Sequence, residues 1–302
     1  MTMNPANRLR ALTQGADAML WGHRASVWLS NMAWGSTLGG ALETLQGANV
    51  LLRTRDQFFA ALALIDLDGI AARIVVAPPD LPPKHLATVI ERAAIHTVVG
   101  EDAGLAVPHI RFVPIRLPLR PPPDLPAARD SEWVLFDSDT GGEHRMMRHS
   151  LAGLTASIRA ETVKNGTTKE IVWGTFCDIR RPDGLQIFLR ALLGRTPLVL
   201  TEADEGQDDF LARLSRYGVT HLTGTSLQWR RALMSPANVK IAPRRVFLSD
   251  GAADQAALDR LRARFPGAVI ANGRTSRETG IDFEVSDRLD DFPLPPIGLA
   301  SS

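Results

Sequence analysis

Short apolar runs alternate along this chain with stretches of helical period. "RIVVAPP" (73–79) is a continuous apolar run that predicts a buried strand. In "KHLATVIERAAIHTVVG" (84–100), Leu86, Val89, Ile90 and Ala93 fall on one helical face before a second strand over His96 to Val99. The alternation then repeats. A strand is expected at 133–136, a helix at about 150–164 with Leu151, Leu154 and Ile158 on one stripe, and a strand at 170–174. A helix at about 184–193, a strand at 197–201 and a helix at about 207–217, stopped by Gly218, follow. "VTHLTG" (219–224), "RRVFLSD" (244–250) and "AVIANG" (268–273) read as further strands, with a helix ending near Phe265 between the last two. Strands separated by helices of about 10–15 residues predict an α/β fold of two stacked parallel sheets with helices on their faces.

The strongest break is "VPIRLPLRPPPDLPAARD" (113–130), whose prolines favour an extended connector. It predicts a first α/β unit over 1–127 and a second over 128–302. At 302 residues and 45% hydrophobic content the chain can bury a large core. Its 34 basic and 33 acidic residues give a net charge of +1, so no general field draws it to nucleic acid or to a membrane surface. Cys177 is the only cysteine, which leaves no intrachain disulfide and no cysteine-rich zinc site. The first 22 residues lack the apolar core of a signal peptide, and the apolar run Phe58 to Ile65 is too short to span a bilayer. A soluble cytoplasmic protein is expected.

Ligands of α/β folds sit beyond the carboxyl ends of strands. Three polar loops follow strands here: 137–145, 249–253 and 271–280. In the first, Thr140, Gly141 and Gly142 let backbone N–H groups face an anion, Ser138 and Thr140 add hydroxyls, and Arg145 adds a cation. It is neither a Walker loop nor a G-x-G-x-x-G, and ordinary turn chemistry explains the same residues. In the second, Ser249, Asp250 and Gly251 precede an amphipathic helix, for which an N-cap is a sufficient explanation. In the third, Glu278 has the hard oxygen that Mg²⁺ takes alongside phosphate; pairing with Arg274 or Arg277 is the alternative. The histidines have no metal-ligand spacing, and Trp133 and Trp173 read as core.

The order and spacing of the three loops resemble the large, AMP-binding domain of adenylate-forming enzymes: acyl- and aryl-CoA ligases, peptide-synthetase adenylation domains and luciferases. Residues 137–146, "DSDTGGEHRM", lie without a gap over that family's T-S-G-[ST]-T-G-x-P-K-G phosphate loop. His149 falls where the family often has histidine, and "RYGVTHLTGTSLQWRRAL" is similar to its V-T-x-x-x-x-V-P segment, with Ser226 at the proline. "RRVFLSDGAADQAALDRLRARFPGAVIANGRTSRETG" resembles the stretch from the S-G-G-x turn to N-x-Y-G-x-T-E. The resemblance runs from about residue 50 to the end.

The resemblance implies ATP or AMP held by Ser138, Thr140, Gly141, Gly142, Ser249, Asp250, Gly251, Asn272, Gly273, Arg274 and Thr275. It implies Mg²⁺ on Glu278, with Arg145 and Glu278 as the catalytic pair, and an acid pocket beside Asp178, Arg181, Thr225 and Ser226. A charge cluster at a helix start is the other explanation of Asp178, Arg180 and Arg181. The implied substrate is a small carboxylic acid, converted to an acyl-adenylate, with coenzyme A or a carrier protein as acceptor. Departures are informative: Asp139 replaces the first glycine, Gly141 the second threonine, and His144-Arg145-Met146 the Pro-Lys-Gly. Arg274 stands at the adenine-stacking tyrosine and Arg277 at the hydroxyl before the glutamate. Asp137 and Asp139 repel triphosphate, by on the order of 1 kcal/mol per charge pair about 4 Å apart in water and several times that in a cleft. The chain also ends at "PPIGLASS", where the family continues into a C-terminal domain bearing a catalytic lysine. The expectation is a truncated or impaired ligase, helped by a C-terminal half in trans, or a non-catalytic binding protein with the ligase fold.

Overall fold

The computed structural model describes residues 8–124, 129–138, 144–165, 170–249, 255–276 and 280–285. The first part of the chain forms helix α1 (Arg8–Thr13), strands β1 (Met19–Trp21) and β2 (Ser26–Trp28), and short helices α2 (Asn31–Trp34) and α3 (Leu42–Leu45). Then come β3 (Asn49–Leu52), α4 (Gln57–Leu67), β4 (Arg73–Val76), α5 (Pro83–Arg92), β5 (Thr97–Gly100) and β6 (Arg111–Pro114). Past the proline-rich connector lie β7 (Glu132–Ser138), β8 (His144–Ser150), α6 (Leu151–Asn165), β9 (Trp173–Thr175), α7 (Pro182–Gly194) and β10 (Leu198–Leu200). The chain continues through α8 (Gln207–Arg216), β11 (His221–Gly224), α9 (Ser226–Met234), β12 (Arg245–Leu248), α10 (Gln255–Arg264), β13 (Val269–Ser276) and β14 (Gly280–Val285).

Two sheets result, as the alternation of strands and helices predicts. One has six strands in the order β6-β5-β3-β4-β7-β8, the other eight in the order β14-β13-β12-β11-β9-β10-β1-β2. Pairing is parallel except at β7–β8, β13–β14 and β1–β2. The sheets interleave in sequence: β1 and β2 join the later sheet, and β7 and β8, beyond the proline-rich connector, join the earlier one.

Helices α4 and α7 are buried on nearly all sides, which the unbroken apolar run Phe58 to Ile65 and the sequence "LQIFLRALL" permit. The main core cluster joins them to strand residues of both sheets, including Val50, Leu52, Leu198 and Leu200. Pro182 begins α7 at a position where its missing N–H costs nothing. Trp133 and Trp173 are core residues; Trp133 Nε1 donates to Asp68 Oδ1 at 3.3 Å, and Trp173 packs against His221 and Phe247.

Candidate functional site

Four connections that leave the carboxyl ends of strands in the two sheets meet at one buried polar junction. The turn after β9 supplies Asp178 and Arg180, and the turn after β3 supplies Thr54 and Gln57. Arg180 is 1% exposed, which forbids an unpaired charge. Its Nε donates to Asp178 Oδ1 at 2.8 Å and its Nη2 to Asp178 Oδ2 at 2.5 Å, while Nη1 donates to the Thr54 carbonyl. Burial works against its charge, but Asp178 first and then Glu202 and Glu101 outweigh burial and raise its pKa.

Gln57 crosses the same gap. Its Oε1 accepts from Ile179 N at 3.0 Å, its Nε2 donates to the Thr201 carbonyl, and its own N–H donates to Glu202 Oε2 at 3.2 Å. Burial, and after it the adjacent Asp56 carboxylate, hold the Glu202 carboxyl well above the usual carboxylate range, so it carries a proton at neutral pH. Glu101, after β5, accepts from Arg55 N at 2.6 Å and Asp56 N at 3.2 Å. At the rim, Arg181 Nη2 donates to Asp80 Oδ2 at 2.6 Å, again bridging the sheets. The carboxyl ends of the two sheets thus share one crevice.

A second cluster lies at the ends of β9, β11 and β12. Thr225 caps α9 in a reciprocal box: Gln228 N donates to Thr225 Oγ1 at 3.2 Å and Thr225 N to Gln228 Oε1 at 2.8 Å. Gln228 Nε2 donates to the Phe176 carbonyl at 2.8 Å. Cys177 is buried, with Sγ 3.4 Å from Ser249 Oγ, and Ser249 Oγ donates to Asp183 Oδ2 at 3.4 Å. Burial, reinforced by Asp183, pushes the Cys177 thiol well up, so it is not a nucleophile.

The residues singled out in the sequence fall into three groups. Asp178 and Arg181 are committed to ion pairs, the Thr225 hydroxyl to its cap, and Ser226 and Ser249 are buried. Arg145 is exposed on β8, in a register that sets it opposite Asp137. His149 stands opposite Trp133, half-buried, with its pKa lowered by burial. Ser138, Asn272, Gly273, Arg274 and Thr275 lie on strands of the antiparallel pairs β7–β8 and β13–β14. The backbone pairs Ser138 with His144 and Ser276 with Gly280. Asp139, Thr140, Gly141, Gly142, Asp250, Gly251, Arg277 and Glu278 lie outside the described residues.

Residues that sequence reasoning missed are Gln57, Glu202, Gln228 and Cys177. Only Gln228 had a readable signal, the Thr-x-x-Gln spacing of a capping box.

No protein-family model matches the chain, and no curated protein matches it significantly. Solved structures do. The unliganded o-succinylbenzoate coenzyme A synthetase (MenE) of Bacillus subtilis superposes with a TM-score of 0.72 at 13% identity, covering 89% of this chain and 61% of its own. The N-terminal subdomain of Klebsiella oxytoca NpsA, solved with 3-hydroxyanthranilyl-AMSN, gives 0.75 at 14% identity, covering 92% and 76%. A Rhodopseudomonas palustris protein assigned as a long-chain-fatty-acid CoA ligase gives 0.73 at 15% identity, covering 94% and 78%. The synthetase of B. subtilis has also been solved with AMP and with the acyl-adenylate OSB-AMP. The fold is therefore that of the large domain of adenylate-forming enzymes, and the chain spans about 61% of the length of the synthetase it matches.

Proposed function

We propose that this chain is an AMP-binding, adenylate-forming ligase-like protein that takes a small carboxylic acid and ATP, with chemistry weakened by acidic residues in its phosphate loop. The observation that carries this reading is topological. The three loops singled out in the sequence follow β7, β12 and β13, each at a carboxyl end, and hydrogen bonds from the turn after β9 to the turns after β3 and β4 join the carboxyl ends of the two sheets. Structures with this fold hold AMP and an acyl-adenylate.

In this reading the nucleotide lies along residues 138–142, 249–251 and 272–275, and the acid lies beside the Asp178–Arg181 and Thr225–Ser226 turns. Because those side chains are committed to pairs and caps, they shape the pocket wall and hold its backbone. The acid carboxylate attacks the α-phosphate and pyrophosphate leaves, and Arg145 neutralises the charge that develops. Among the described residues no three carboxylate, histidine or cysteine groups converge on a metal position. A divalent cation on Glu278 would take nucleotide oxygens as well, which is how Mg²⁺ is commonly held. When bound, Mg²⁺ offsets phosphate charge. Coenzyme A or a carrier protein would accept the acyl group, and a ligase C-terminal half is the partner class that would complete the site.

A second reading, a binding protein without turnover, is favoured by Asp137 and Asp139 at the phosphate position. Exchange of labelled pyrophosphate into ATP across a panel of carboxylic acids separates the two. The ligase reading expects acid-dependent exchange that Glu278→Gln abolishes; exchange unchanged by that substitution removes Glu278 from its role.

A further inference from the structure

Two arginines without a counter-charge among the described residues share a pocket at the edge of the six-stranded sheet farthest from the β7–β8 pair. Their backbone is fixed. Ser36 N donates to the Arg120 carbonyl at 2.7 Å, Arg120 N to the Ser36 carbonyl at 2.9 Å, and Arg116 N to the Thr37 carbonyl at 2.9 Å. Thr37 is itself anchored, with N and Oγ1 donating to Asp66 Oδ2 at 2.8 and 2.6 Å, and Asp66 is buried and paired with Arg10. Gly39 adopts φ +50°, and a Cβ there would lie 3.3 Å from Arg120 Cβ, so the missing side chain seats the arginine stem.

The pocket measures about 380 Å³ and is lined by Thr37, Leu38, Gly40, Pro114, Arg116 and Arg120 among others, none of them acidic. Its volume is that of a small-ligand site. Among the described residues, neither the Arg116 nor the Arg120 guanidinium has a hydrogen-bond or ion-pair partner. Asp66, behind Thr37, is committed to Arg10. Two like charges on one pocket repel each other, and an anion between them relieves the repulsion.

We infer that this pocket binds the phosphate monoester group of a small molecule. Two guanidinium groups can together answer the two charges of a phosphate dianion, whereas a carboxylate answers only one of them. Open space at Gly40 admits the rest of the ligand, since nothing lies within 4 Å of a Cβ built there. None of the pocket's lining residues belongs to the nucleotide loops, and the inference does not depend on their assignment.

Calorimetry on the full chain at constant ionic strength, with inorganic phosphate as probe, tests the inference. Saturable binding is expected, weakening as the pH is lowered and phosphate becomes a monoanion. Arg116→Gln/Arg120→Gln should lower the affinity at least tenfold, and acetate should bind at least tenfold more weakly than phosphate. Gly40→Asp, which adds an acid at the pocket without disturbing either arginine, should have the same effect. Absence of saturable binding, equal affinity in the variants, or acetate matching phosphate would each overturn it; equal affinity in the variants would place the phosphate elsewhere on the chain.

Discussion

A carboxylate out of reach of water must be paired, hydrogen-bonded or protonated, and the acids at the two ends of α4 and beyond β10 divide among these states. Asp68 is buried and accepts from Leu9 N at 3.1 Å and from Trp133 Nε1, yet burial outweighs both bonds and pushes its pKa up to about 6. The folded state therefore holds that proton more tightly than the unfolded chain. Stability from this group is fully present below about pH 4 and lost as pH rises through about 6. Asp68→Asn keeps an acceptor oxygen and removes the titration. In urea unfolding from pH 4 to 7, the wild type should lose on the order of 1–3 kcal/mol relative to Asp68→Asn. Parallel pH profiles for the two proteins would show that Asp68 ionises normally.

Arg180 is the opposite case, a buried charge that is fully paired. Arg180→Met leaves Asp178 without its fork and the Thr54 carbonyl without its donor, so the expected cost is about 3–5 kcal/mol in unfolding free energy. A cost below about 1 kcal/mol would mean that the junction does not hold the sheets. Glu202→Gln, which mimics the protonated acid, should be tolerated at neutral pH. In the sequence "CDIRRPDG" nothing separates Arg180 from Arg181, yet one is buried and the other reaches Asp80 at the rim. The difference comes from the turn after β3, 126 positions away in sequence from Arg180. Local pattern cannot carry that information.

Elements were legible wherever their own period declared them. The stripes Leu151, Leu154, Ile158 and Leu258, Leu261, Phe265 are buried as expected, and α7 begins at its proline. Strand β8 was not legible. "HRMMRHS" is mostly polar and reads as a loop, but it is held by seven residue pairs with β7, which supply partners whatever its side chains are. The start of β13 was legible in "AVIANG", but its extension to Ser276 and its partner β14 were not. Among the described glycines, the closest approach is at the start of α7, where a Cβ on Gly184 would lie 2.1 Å from the Asp178 carbonyl oxygen. Gly184→Ala must push α7 off the turn that carries Arg180. The expected loss is about 3 kcal/mol or more, visible as a lower urea midpoint with α-helical content retained. Thr225→Ala removes only a cap and should cost about 1 kcal/mol.

For the whole molecule, composition and strand–helix alternation led to two mainly parallel sheets, and likeness to solved ligases supports that architecture. The path of the chain between the sheets was not legible. β1 pairs with β10 through contacts about 180 positions apart in sequence and carries β2 on its other side, and no proline-rich stretch announces them. The sequence offers the candidate site as three loops and their order, of which Thr140, Gly141, Gly142, Asp250, Gly251 and Glu278 lie outside the described residues. The polar junction was not legible, because Gln57, Arg180 and Glu202 meet only after both sheets form. In the proposed reading function turns on the phosphate loop, where Asp137 and Asp139 replace neutral positions of the resemblance. Calorimetric titration with ATP and Mg²⁺, on wild type and Asp139→Gly in parallel, addresses this choice. Wild-type binding weaker than about 1 µM is expected, and tighter binding in Asp139→Gly, where a repelling charge is removed and backbone freedom restored. Submicromolar binding by the wild type, or no binding by either protein, would refute the assignment of this crevice as an impaired nucleotide site.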